Sequence, residues 1–176
     1  LALAAMLPPE SKIIAADTDR GRLSRIEPRK RRASARNIET ILLAPGNEMD
    51  ALGHLKASCD LVLIDAPCSG TGTWRRNPEL RWRMSPKRLD HTTELQQRLM
   101  ELGSEMVKPG GRLVYAVCSL LDAEGGDQTD KFLENHPQWQ EISIDLPVGR
   151  PYRKGTLLSP HHDGTDGFYF TCLEKL

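Results

Sequence analysis

Asp60-Leu61-Val62-Leu63-Ile64-Asp65 decides the fold. Its four middle residues are apolar without alternation, the pattern of a short strand buried on both faces of a parallel sheet. Elements of two kinds alternate on either side of it. Upstream, residues 12–16 read as a strand, 19–35 as a helix bent near Pro28, 38–43 as a second strand and 48–56 as a helix. Downstream, 89–107 reads as the longest helix, stopped by Lys108-Pro109-Gly110-Gly111. Residues 112–117 read as a strand, 122–135 as a helix ending before Pro137, and 140–144 and 167–173 as the last strands. This alternation predicts an α/β fold, a doubly wound and mostly parallel sheet with helices on both faces.

The 176 residues suit one domain, 1–176, with a real apolar core. Lys plus Arg and Asp plus Glu number 24 each, so net charge does not single out a partner. Cys59, Cys68, Cys118 and Cys172 form no Cys-x-x-Cys pair, which argues against a zinc site or a disulfide framework. Scattered cysteines fit a reducing cytoplasm. No apolar run approaches the roughly 20 residues of a membrane span. The opening Leu1-Ala2-Leu3-Ala4-Ala5-Met6-Leu7 is too short for one and lacks the positive start of a signal peptide. The chain begins inside this helix-like run without an initiating Met, and so reads as part of a longer protein.

Charge is unevenly distributed. Arg20, Arg22, Arg25, Arg29, Lys30, Arg31, Arg32 and Arg36 face only Glu27 in the same stretch, the pattern of a solvated helix face or a nucleic-acid surface. Arg75, Arg76, Arg81, Arg83, Lys87 and Arg88 face only Glu79, and this second cluster follows a Gly-rich loop and carries Trp74 and Trp82. Cations interleaved with aromatics suit phosphate contacts and base stacking, so Trp74, Arg75, Arg76 and Arg81 are candidate RNA-binding residues.

In open α/β sheets, ligands gather outside the carboxyl ends of the strands. The first strand leads into Asp17, whose carboxylate could accept hydrogen bonds from a ribose diol, although turns favour Asp in any case. The strand at Leu61 ends in Asp65-Ala66-Pro67-Cys68, and the strand at Leu113 ends in Cys118-Ser119. A lone cysteine is most often an inert buried thiol. Two at matching ends of strands expected to be neighbours, beside a carboxylate, suggest chemistry. Cys59 and Cys172 lie elsewhere on their strands and read as structural.

The runs DAPCSGTGTWRRNPELRW (65–82), VKPGGRLVYAVCSLL (107–121) and PHHDGTDGFYFTCLEK (160–175) resemble the Nol1/Nop2/Sun RNA cytosine-5 methyltransferases, and among these the bacterial Sun branch acting on small-subunit ribosomal RNA. The resemblance implies a Rossmann-like class I methyltransferase with an antiparallel C-terminal strand, using S-adenosyl-L-methionine. It implies that the central first strand and its Gly-rich cofactor loop lie before Leu1. It also implies that Cys118 is the nucleophile and that Cys68 assists product release. Asp65 would lie beside the target base and the cofactor's methionine end, with Asp17 at its ribose and Pro67 among the cofactor contacts. The chemistry asks for such groups. Carbon 5 of cytosine is a poor nucleophile until a thiolate adds to carbon 6. A hydrogen-bonding acid at ring nitrogen 3 offsets the charge that then builds up, and the base must be unpaired or flipped out to be reached.

Two positions depart from the family pattern. Val117 stands where Thr usually precedes the nucleophile, and Ala44-Pro45-Gly46-Asn47 follows the second strand where an acid usually holds the adenine. Two other readings compete: a DNA cytosine-5 methyltransferase, in which Cys68 would attack, and an inactive RNA-binding fragment.

Overall fold

The computed structural model describes all of Leu1–Leu176 and comprises two compact units, Leu1–His54 and Leu55–Leu176. In the first, α1 (Ala2–Met6) precedes β1 (Ile13–Asp17), α2 (Arg20–Ser24), α3 (Ile26–Arg32), β2 (Ile38–Leu42) and α4 (Glu48–Leu52). β1 and β2 pair in parallel from Ile13 opposite Ile38 to Asp17 opposite Leu42. The Asp19 side chain caps α2 by accepting the Arg22 N–H at 3.0 Å. The single bent helix expected over 19–35 is two helices meeting at Arg25. Pro28 has no N–H to give the Ser24 carbonyl, so the first helix ends there and Pro28 falls in the first turn of the next.

The second unit holds β3 (Cys59–Asp65), α5 (Pro86–Met106), β4 (Val107–Val117), α6 (Gly126–Asn135), β5 (Trp139–Glu141), β6 (Arg150–Tyr152), β7 (Gly155–Leu158), α7 (Pro160–Asp163) and β8 (Phe168–Lys175). Its sheet runs β3-β4-β8-β7-β6, with β5 also on β8. β3 and β4 are parallel, and every pairing from β8 onward is antiparallel. Ser85 accepts the Arg88 N–H and Pro86 occupies the first turn of α5, the sequence signature of a helix start. Tyr115, Tyr169, Met100, Leu113, Leu173, Val107 and Val117 are the innermost side chains, joined by Phe132 of α6 and Trp139 of β5.

Several expectations are corrected. β3 is covered on one face only: Val62 and Ile64 pack on the core, while Leu61 and Leu63 are 46% and 51% exposed. Within this chain β3 has β4 as its strand partner. Lys108-Pro109-Gly110-Gly111 does not lie beyond the helix as a separate stop. α5 ends at Met106, and these residues form an irregular start to β4, where pairing passes from Cys59–Val107 to Leu61–Arg112. The expected strand over 140–144 is the shorter Trp139–Glu141, and the helix over 122–135 opens with a 3-10 turn, Asp122–Glu124. The β6–β7 hairpin and α7 were not expected, since their few residues carry no apolar period.

Candidate active site

Parallel pairing places the carboxyl ends of β3 and β4 side by side, with Asp65 opposite Ala116. One further backbone bond, Ala66 N–H to the Ala116 carbonyl at 3.0 Å, carries both chains just beyond the sheet. The β3 chain then turns at Gly70, whose φ of +72° is cheap only without a Cβ, into a 3-10 turn, Thr71–Thr73. Gly72 closes the loop over the neighbouring one. Its N–H donates to the Cys118 carbonyl at 3.1 Å and its carbonyl accepts the Gly167 N–H at 2.8 Å. A Cβ on Gly72 would lie 2.0 Å from the Gly167 oxygen, so only glycine permits this approach.

Cys68 and Cys118 consequently meet, with sulfurs 3.3 Å apart. The two thiols are unequal. The hydrogen bond from Cys68 lowers the pKa of Cys118 to about 7, against burial and the nearby carboxylates Asp65 and Glu124. The same contact, with burial, pushes Cys68 far above the ordinary thiol range. The contact thus favours ionisation of Cys118, with Cys68 as the thiol donating to it. A thiolate is the nucleophilic form of a cysteine, and of the two sulfurs Cys118 is the one favoured to ionise.

Beneath the sulfurs lies a polar cluster that sequence reasoning missed. Glu124, fully buried, accepts the Ser69 N–H at 2.7 Å and the Ser119 hydroxyl at 2.6 Å, and is also bonded by the Ser69 hydroxyl. Gln96 of α5 donates to the Pro67 carbonyl at 2.8 Å and approaches Glu124 at 3.4 Å. The available signal was a repeated Cys-Ser pair, Cys68-Ser69 and Cys118-Ser119, followed by an acid.

The remaining candidates are placed as follows. Asp65 is exposed at the end of β3, and Pro67 is exposed apart from its bonded carbonyl. Asp17, in the first unit, is half-buried at the end of β1. It accepts the Asp19 N–H at 2.8 Å and lies 3.5 Å from Arg22, with acceptor capacity to spare. Trp74 is 36% exposed, and Arg81 stacks 4.7 Å over the exposed Trp82 ring. Arg75 and Arg76 are not opposed by Glu79 alone: Asp166 pairs with Arg76 at 2.5 Å and lies 3.7 Å from Arg75. The tertiary fold brings this acid from a distant part of the chain, which a count within one stretch could not register. No group of three or more His, Cys, Asp or Glu side chains comes together in a metal-binding cluster, and no helix is long and apolar enough to cross a membrane.

A family model described as 16S rRNA methyltransferase RsmB/F matches residues 2–174. The chain belongs to the RsmB/F family. Its fold is Rossmann-like, and the family consists of S-adenosylmethionine-dependent rRNA methyltransferases. Over 167 residues it is 31% identical to the ribosomal RNA small subunit methyltransferase B of Vibrio cholerae, covering 95% of this chain and 37% of that protein. Over 121 residues it is 40% identical to the probable ribosomal RNA small subunit methyltransferase B of a Synechocystis strain, covering 66% of this chain and 27% of that protein. The chain thus spans about a third of the length of these relatives. A crystal structure of NSun6 from Pyrococcus horikoshii with SFG, an S-adenosylmethionine analogue, superposes with a TM-score of 0.83 at 26% identity, covering 98% of this chain and 44% of that one.

Proposed function

We propose that residues 1–176 form a catalytic domain that methylates carbon 5 of a cytosine in small-subunit ribosomal RNA, with Cys118 bonding transiently to carbon 6. The observation that carries this reading is the unequal thiol pair at the ends of β3 and β4. The Cys118 thiolate adds its electron pair to carbon 6, and the ring's double-bond electrons move to make carbon 5 nucleophilic. S-adenosylmethionine supplies the electrophilic methyl group that carbon 5 receives. Asp17 suits its ribose diol, because a half-buried carboxylate with spare acceptor capacity matches two hydroxyl donors. Asp65 and Pro67, at the end of the strand leading to Cys68, are the cofactor contacts of the second unit in this reading. Asp65 also serves the base, steadying the charge that develops toward ring nitrogen 3.

Release reverses the addition. The proton at carbon 5 passes to a water molecule, the carbon 5–hydrogen pair re-forms the ring double bond, and the sulfur leaves with the carbon 6–sulfur bonding pair. Cys68, 3.3 Å away, donates its S–H to that departing sulfur and so favours the thiolate as leaving group. The DNA-type alternative needs Cys68 as attacker, which its protonated state disfavours. Trp74, Arg75, Arg76 and Arg81 supply RNA contacts at the edge of the loop. The test is incubation of the full-length protein with labelled S-adenosylmethionine and unmodified small-subunit ribosomal RNA, followed by nucleoside mass spectrometry. Label in 5-methylcytidine is expected. Label in another nucleoside, or none from a folded protein, overturns the proposal.

A further inference from the structure

We infer that Glu124 is a positioning residue for the Cys68–Cys118 pair, its carboxylate holding the residue after each cysteine and so fixing how the two sulfurs meet. The inference rests on the proposed roles of those cysteines. Ser69 follows Cys68 and Ser119 follows Cys118, on loops from different strands. Both are gripped by one side chain. One carboxylate oxygen takes the Ser69 N–H at 2.7 Å and the other the Ser119 hydroxyl at 2.6 Å, with the Ser69 hydroxyl on that second oxygen as well.

The proton directions around Glu124 are consistent. Ser119 gives its only hydroxyl proton to Glu124, so its oxygen is free to accept from Thr71 at 3.0 Å and from the Leu121 N–H at 3.1 Å. Thr71 in turn accepts the Leu120 N–H at 2.9 Å. With both serine protons directed to the carboxylate, the 3.4 Å Ser69–Ser119 contact carries none. Glu124 itself is held, its carbonyl accepting the buried Tyr115 hydroxyl at 2.6 Å and its N–H donating to the Leu121 carbonyl at 3.1 Å. A buried carboxylate is costly unless its acceptor sites are filled, and here they are filled mainly by the two cysteine loops. In Glu124→Gln, an NH2 toward the Ser69 N–H sets donor against donor. In the other orientation the amide oxygen keeps that N–H, but the Ser69 and Ser119 hydroxyls lose their acceptor and must turn their protons elsewhere.

The experiment measures iodoacetamide alkylation of Cys118 against pH in the full-length protein, by peptide mass spectrometry, for wild type, Glu124→Gln and Ser119→Ala. The charged or titratable groups acting on Cys118 are Cys68, Asp65 and Glu124. Loss of the Glu124 charge alone would move the Cys118 midpoint down. Loosened sulfurs lose the Cys68 hydrogen bond, which moves it up. Expected is an upward shift of about one unit in both variants, roughly tenfold slower alkylation below neutrality, with Cys59 labelling unchanged. An unmoved or lowered midpoint in folded Glu124→Gln overturns the inference. If that variant does not fold, an unmoved midpoint in Ser119→Ala, which keeps the charge, overturns it equally. This readout needs no RNA. A shifted midpoint without cytosine methylation sinks the functional proposal alone, and methylation with an unmoved midpoint sinks this one alone.

Discussion

At the scale of residues, the proposed reaction is divided between two sulfurs 3.3 Å apart. Cys118→Ala in the full-length protein is expected to abolish methyl transfer and leave no adduct. Cys68→Ala is expected to accumulate protein covalently bound to RNA, because attack survives and the departing sulfur has lost its donor. A denaturing gel reads both, and a trapped complex with Cys118→Ala instead would reverse the roles. The pH dependence follows from the pKa of Cys118, held at about 7 where an unperturbed thiol takes 9.0. A lowered pKa enlarges the thiolate fraction above it, so single-turnover adduct formation should rise with pH and level off past about 7. In Cys68→Ala the midpoint should move toward 9.0, since the largest lowering cause is gone. A stopped-flow or quench-flow pH series checks this.

At the scale of elements, the loop after β3 is fastened at both ends of its Gly-rich stretch. Gly72→Ala places a methyl group 2.0 Å from the Gly167 oxygen, against backbone that cannot rotate away. Overpacking of this kind costs about 1–3 kcal/mol. For a chain of this size each kcal/mol lowers Tm by roughly 2–4 °C. Calorimetry should show that loss, and because Gly72 also bonds the Cys118 carbonyl, Cys118 alkylation should change with it. The adjoining basic segment behaves differently from a free cationic patch, because Asp166 already pairs with Arg76 and lies near Arg75. Arg75→Ala with Arg76→Ala should weaken RNA binding and lower its salt slope by about 0.7–0.9 per lost phosphate contact. Asp166→Asn should tighten binding by releasing both cations. Filter binding at several salt concentrations measures both, and an unchanged slope would return Arg75 and Arg76 to the solvated surface.

At the scale of the molecule, the second unit is organised around β4, which has β3 on one side and β8 on the other. Tyr115 and Val117 of β4 and Leu173 of β8 are almost wholly buried, whereas β3 has one neighbour and leaves Leu61 and Leu63 half-exposed. Amides paired on both sides within a packed core open only with large-scale unfolding, while edge amides open locally. Hydrogen exchange should therefore be slowest over Val114–Val117 and the facing part of β8. The β3 amides that do not face β4 should be fast. Uniform protection across β3 would mean that its open edge is covered in solution.

The sequence alone determined the alternation of strands and helices, the parallel pair ending in Asp65 and Val117, and the two cysteines just beyond them. These are local properties: an unbroken apolar run and a Gly-rich turn after a strand. The start of α5 was read at residue 89, and the cap at Ser85 before Pro86 was missed. The meeting of the two thiols was readable because each cysteine stands just beyond the end of one of two neighbouring strands. What only the tertiary structure decided depends on long-range proximity. Which face of β3 is covered in this chain depends on what packs against it from distant positions, which its apolar run does not display. Asp166 reaches Arg76 across 90 positions, and Glu124 reaches Ser69 across 55, because loops from separate strands converge where the sheet ends. The thiol that ionises was likewise undecided in the sequence. The difference between the two thiols goes with the hydrogen bond across their 3.3 Å contact and with burial, neither of which the sequence displays.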